Sequence, residues 1–215
     1  MGVLIAAVCL CVAGQNTPGR GAPTEVKGLP ARAPADYQAQ AQAGTVTVAA
    51  DFKGHWVPTL EGTLSTEDYV VIETALFGPA GARIKLSLDD FGLRLNGRKT
   101  PLPIQRYGLV VGSLKDPEWV PPEEAAAPKS KTKIGGGGGG GRSEDNGPPA
   151  EVQIPLAVRR AMAQRVQRAS LPEGDRSLPQ AGVIFFQYRG KTENLESIEL
   201  IYTGPDGKAT LRLQP

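Results

Sequence analysis

The sequence predicts an all-β fold, an antiparallel sandwich or barrel, and three observations carry that prediction. Short runs of alternating or continuous apolar residues recur at intervals of roughly ten residues. Turn chemistry punctuates them, at Gly78-Pro-Ala-Gly81, Asn96-Gly97 and Gly204-Pro-Asp-Gly207. Only one segment has helical spacing instead.

The chain opens on a leader, Met1–Gly14. Val3–Val12 is apolar and uncharged, and too short to span a bilayer, which takes about 20 apolar residues. Val12-Ala13-Gly14 puts small residues where a signal peptidase cuts, so the mature chain is expected to start at Gln15. The amino group of Met1 is the only positive charge of this leader. Both cysteines, Cys9 and Cys11, would leave with it, so no disulfide is expected to hold the fold. Val8 and Leu10 precede them where a lipid-modified cysteine usually follows a small residue, which favours a released protein over an anchored one. The expected location is therefore periplasmic or extracellular.

Residues 15–44 are rich in Pro, Ala, Gln and Gly and are expected to be a disordered leader, because they offer too little apolar surface to offset ordering entropy. The domain is expected over 45–213 as one β-sandwich. Val46 and Val48 share a face in Thr45–Ala50. Tyr69–Phe77 is apolar on both faces, as a central strand would be. Ile84, Leu86 and Leu88 alternate with polar residues, as do Phe91, Leu93 and Leu95. Asn96-Gly97 tolerates positive φ at both positions, which signals a hairpin. Ile104–Val111 is a further strand candidate.

Two segments interrupt the domain. Residues 121–150 hold Pro121-Pro-Glu-Glu, Lys129-Ser-Lys-Thr-Lys133 and seven consecutive glycines, Gly135–Gly141, and read as a tether. Residues 155–169 read as a helix: Pro155 suits a first turn, and Val158, Met162, Val166 and Ala169 form one apolar stripe. Leu171-Pro172 stops it. Strands are then expected at Val183–Tyr188, Ser197–Tyr202 and Ala209–Leu213, the last two joined by Gly204-Pro-Asp-Gly207.

The order of these elements resembles a known type. Leu88-Asp-Asp-Phe-Gly-Leu-Arg-Leu-Asn-Gly97, then Leu171-Pro-Glu-Gly-Asp175 leading into Gly182-Val-Ile-Phe-Phe186, is similar to the telokin-like, immunoglobulin-like domains of exported bacterial proteins of unknown function. The resemblance covers 45–213 outside the tether and implies an immunoglobulin-like sandwich. It brings no common catalytic residues.

The composition excludes several chemistries. With 24 basic and 22 acidic residues and a net charge of +2, the chain lacks the strongly basic face that nucleic-acid binding wants. No second long apolar run follows the leader, so no transmembrane segment is expected in the mature chain. His55, in Phe52-Lys-Gly-His-Trp-Val-Pro58, is the only histidine and has no serine beside it, which reads as a loop or edge residue rather than a triad base. One histidine and no mature cysteine leave no zinc set, and Asp89-Asp90 is a turn pair rather than a calcium loop. No catalytic residue, metal or cofactor is therefore expected. Gly136–Gly141 with Arg142-Ser143 approaches a phosphate loop, but Arg replaces the lysine and no strand precedes it.

Four residues stand out as ligand contacts. Trp56 and Trp119 lie near prolines at strand ends, where they either stack on sugar rings or a partner, or cap the core from its loops. Arg160 and Arg168, with Arg159 and Arg165, give the helix a basic face that either meets anionic polymer or is only solvated. The expected function is a non-catalytic binding or assembly module of the cell envelope, its partner an envelope protein or polysaccharide. The alternative is a carbohydrate-binding or glycoside-hydrolysing domain. Hydrolysis would draw on two carboxylates from Glu61, Glu67, Asp68, Glu73, Asp116 and Glu118.

Overall fold

A computed structural model describes residues 28–120 and 154–215. The apolar leader, residues 15–27 and the tether at 121–150 lie outside the described residues. The strands are β1 (Ala39–Ala43), β2 (Val46–Phe52), β3 (Trp56–Thr59), β4 (Gly62–Thr66), β5 (Tyr69–Phe77), β6 (Arg83–Leu86), β7 (Phe91–Leu95), β8 (Leu102–Gln105), β9 (Leu114–Lys115), β10 (Gly174–Ser177), β11 (Gln180–Gln187), β12 (Ile198–Gly204) and β13 (Gly207–Leu213). The helices are α1 (Tyr107–Val110) and α2 (Leu156–Ala169). No helix among the described residues is long and apolar enough to cross a membrane.

Eight strands form one antiparallel sheet in the order β1-β2-β5-β11-β8-β7-β12-β13. The sheet rolls so that its two ends meet: Gln38 donates to the Gln214 carbonyl at 3.0 Å, and a Cβ on Gly207 would lie 2.9 Å from the Ala43 backbone. Its interior is one apolar core, with Val48, Ile72 and Ile184 from one half facing Leu93, Leu200 and Leu211 from the other. The fold is thus all-β and antiparallel, between a sandwich and a barrel.

The half built from β1, β2, β5 and β11 is covered on its outer side as well. Val71, Val183 and Phe185 point out of the barrel and pack under Met162 and Val166 of α2 and Val57 and Leu64 of the β3–β4 hairpin. This second core is why Tyr69–Phe77 carries apolar residues on both faces. The helical stripe lands as its spacing requires: Met162, Val166 and Ala169 are buried and Val158 is half-buried. Beyond Ala169, Ser170 folds its hydroxyl back onto the Val166 carbonyl at 2.7 Å, and Leu171 joins the edge of β11 through Val183 at 3.0 Å.

Three expectations need correction. The leader at 15–44 is not disordered throughout, because residues 28–43 are built into the fold. Leu29 donates to the Ala181 carbonyl at 2.9 Å, Tyr37 is buried against Ala49, Ala75 and Ala181, and β1 pairs with β2 from Ala39↔Ala50 to Ala43↔Val46. Composition hides this because Ala39-Gln-Ala-Gln-Ala43 alternates with a side chain too small to register as hydrophobic. The strand expected at Ile104–Val111 ends at Gln105, since α1 turns Val110 under α2, where it is fully buried. Asn96 and Gly97 do adopt φ of 49° and 64° and close a turn from Leu95 to Arg98, but the β7–β8 ladder begins only at Leu93↔Leu102. The turn therefore tips a longer loop, held by Asn96 Oδ1 accepting from Glu196 N–H at 2.8 Å.

Candidate ligand groove at Trp56

The groove is built where the small β3–β4–β9 sheet meets the loop after β11. Gly54, at φ 60°, carries the chain out of β2, and its carbonyl accepts from Val71 N–H at 2.8 Å. This docks the start of β3 onto β5. Trp56 stands opposite Ser65 on β4, and Ser65 opposite Lys115 on β9, so the three share one outward face. Trp56 is 54% exposed. Pro58 lacks the N–H that an added strand would need, so this edge is blunted against pairing.

The opposite wall is Arg189–Glu193, and His55 ties it down. The two ring nitrogens of His55 lie 2.8 Å from the Tyr69 carbonyl and 3.0 Å from the Gly190 carbonyl, and its ring stacks on Tyr188 at 6.4 Å. A Cβ on Gly190 would sit 2.4 Å from the Tyr188 hydroxyl, so glycine leaves room for the Tyr188 ring against this turn. Between the walls lies an open groove of about 510 Å³. Glu67, held by Lys115, and Arg189, held by Asp68 at 2.8 Å, frame it with charge, and Thr192 adds a hydroxyl.

The sequence-predicted contacts do not converge here. Trp119 is half-buried past β9, its backbone N–H on the Asp116 carbonyl at 3.2 Å, and does not line the groove. Arg160 is exposed on α2. Arg168 is not a free cation: it pairs with Glu61 at 2.7 Å. Arg165, only 13% exposed, pairs with Asp116 at 2.8 Å and donates to the Glu61 carbonyl. The basic face of the helix is thus half spent on stitching α2 to the β3–β4 hairpin. No sequence signal joined Trp56 to Arg189 and Thr192, which lie more than a hundred residues away and in no motif.

The carboxylates are mostly committed. Asp51 and Glu73 face each other across the β2–β5 ladder, a repulsive register for like charges. Arg32 Nη2 bridges them at 2.5 and 3.1 Å, Lys53 Nζ at 2.9 and 3.1 Å, and Gln38 N–H donates to Asp51 at 2.5 Å. Burial pushes the Asp51 carboxyl up, but the bonds from Lys53, Gln38 and Arg32 outweigh it and hold it below its ordinary value. The Lys53 ammonium, pushed down by burial, ends above its ordinary value because both carboxylates face it. Arg32 also lies 4.2 Å above the Tyr37 ring. This closed cluster straps residues 32–38 to the barrel. Asp89 and Asp90 sit in a 3₁₀ turn capped by the Ser87 hydroxyl. Among the described residues no group of three or more His, Cys, Asp or Glu is placed to hold a metal ion.

Comparison with known protein families, with curated proteins and with solved structures finds no match to this chain.

Proposed function

We propose that this chain is an exported, non-catalytic binding or assembly module of the cell envelope that holds its ligand in the Trp56 groove. The observation that carries the reading is Trp56 itself, a large rigid aromatic left 54% exposed on the wall of an open groove rather than folded into the core. Export rests on the apolar leader. The immunoglobulin-like, telokin-like kinship belongs to the same proposal, supported by two antiparallel half-sheets facing across one core.

A glycan is the ligand class this wall favours. An exposed indole offers a stacking face, and Ser65, Thr192, Glu67 and Arg189 beside it offer donors and acceptors for hydroxyls. The hydrolytic alternative has less support, because five of its six candidate carboxylates, Glu61, Glu67, Asp68, Glu73 and Asp116, stand in ion pairs, which leaves Glu118 without a second free carboxylate from that set. His55 spends both ring nitrogens on backbone carbonyls.

A fluorescence titration tests this in a Trp119→Phe background, where Trp56 is the only tryptophan. Envelope oligosaccharides are expected to shift its emission saturably, and Trp56→Ala is expected to abolish binding measured by calorimetry. Unchanged emission across the glycans, with the protein still retained on isolated envelopes, would replace the sugar by a protein partner. No retention at all would sink the binding reading.

A further inference from the structure

A second hollow, separate from the Trp56 groove, opens where the cover of β11 changes hands. Leu171 bonds the β11 edge at Val183, and β8 takes it over at Phe185, opposite Gln105. The first crossing is tight, since a Cβ on Gly182 would lie 2.5 Å from the Leu171 backbone. The two covering segments then diverge and leave a cleft of about 250 Å³ between α2 and β8. It is more enclosed than the Trp56 groove.

The lining is two-sided. Half-buried Leu88 and Ile104, with Phe185 and Leu171, give an apolar floor. Arg106 and Arg176 stand on the rim with Glu173 as the only carboxylate, so the rim carries one uncompensated positive charge. Arg106 Nη1 donates to Glu173 Oε2 at 2.7 Å. Arg176 spends its Nε on the Glu173 carbonyl at 3.0 Å, and among the described residues its two Nη groups have no acceptor. A guanidinium fixed by one nitrogen, with its remaining donors unused at the mouth of an apolar cleft, is built to receive a planar anion.

We propose that this cleft binds a small amphipathic anion, a carboxylate with an unbranched apolar tail, its head on Arg176 and Arg106 and its tail on Ile104 and Leu88. At roughly 30 Å³ per water-sized group the cleft holds about eight heavy atoms. That is the size of hexanoate, and each methylene that enters adds about fourfold in affinity.

The test is a titration of the whole chain with sodium butanoate, hexanoate, dodecanoate and hexanol, followed by amide NMR shifts. Hexanoate is expected to shift the amides of Gln105, Leu171 and Phe185, and to bind at least tenfold more tightly than butanoate or hexanol. Dodecanoate is expected to gain nothing per added methylene. Arg176→Gln is expected to weaken hexanoate about tenfold while leaving hexanol unchanged, as loss of one charged hydrogen bond requires. Ile104→Phe, which fills the floor, is expected to weaken both. Shifts confined to other surfaces, or hexanoate affinity unchanged in Arg176→Gln, would overturn the proposal. Neither result touches the Trp56 groove, whose ligand is read by tryptophan emission.

Discussion

The two halves of the barrel present opposite surfaces to the world. On the β2–β5–β11 side, outward residues such as Val71, Val183 and Phe185 are buried under α2 and the β3–β4 hairpin. On the β7–β12–β13 side the outward residues are Arg94, Glu199, Ile201, Thr210 and Arg212, and all are half-buried or exposed. The inner faces of both halves are equally apolar. A strand with one covered face needs only alternation, as Ala209-Thr-Leu-Arg-Leu213 shows, whereas a strand with two covered faces needs a continuous apolar run. Both hollows lie at the margins of the outer cover, at the β3–β4–β9 sheet and where α2 meets β8.

The sharpest break of this comparison truncates an outward residue on each half. Phe185→Ala is expected to cost about 4 kcal/mol, because it leaves a cavity in the second core. Ile201→Ala, outward on β12 and half-buried, is expected to cost less than about 1 kcal/mol. Urea unfolding followed by far-UV circular dichroism measures both. Equal losses would mean that the outer cover contributes nothing special.

A smaller effect is expected at the charge cluster that straps residues 32–38 to the covered half. Arg32→Ala is expected to cost about 2 kcal/mol, since Asp51 and Glu73 would then face each other with Lys53 alone between them, the loss being moderated by the partial exposure of Arg32. The pH dependence has a definite sign. Asp51 is held below its ordinary value in the fold, so its contribution is present above about pH 4 and is lost as pH falls through the folded value. Hydrogen exchange at Leu29 and Tyr37, measured against the intrinsic amide rate, is expected to accelerate below about pH 4 in the parent. In Arg32→Ala it is expected to be fast already at neutral pH. A strap that stays protected in the variant would show that Tyr37 packing alone holds it.

The smallest effect has the opposite sign. Tyr202 is buried in the inner core against Phe91, and its hydroxyl has no hydrogen-bond partner among the described residues. Burial, with Asp90 and Asp206 nearby, pushes its phenol up to about 12. The fold therefore favours the protonated phenol, and stability is expected to fall as pH rises above about 10. Tyr202→Phe removes the orphaned hydroxyl and is expected to be neutral, or stabilising by up to about 1 kcal/mol, at neutral pH and to lose the alkaline dependence. A thermal melt at pH 7 and one at pH 11 measure it. A clear loss at pH 7 would reveal a bound water bridging that hydroxyl.

Legibility in the sequence followed pattern strength. Tyr69–Phe77, the alternation in β7 and β13, the Gly204–Gly207 turn and the α2 stripe were all readable, because each is a periodicity contained in one short window. β1 escaped because alanine and glutamine carry little hydrophobic signal, and its partner strand supplies the register. β3, β4 and β9 escaped because they are short, and β3 and β4 also hold Gly, Pro and Thr. Trp56 was singled out by residue type, but its groove partners were not.

By itself the sequence determined what local chemistry dictates: that the strongly patterned stretches are strands, where those strands turn, where the long helix runs and which face of it is apolar. Those follow from side-chain period and backbone freedom within a few residues. Only the tertiary structure decided which half of the barrel receives a second layer, that Arg165 and Arg168 are spent on Asp116 and Glu61, and that Arg189 stands across from Trp56. These are pairings between residues tens to more than a hundred positions apart. They are settled by how rigid elements share buried area and satisfy buried charge, and no short window of sequence encodes that.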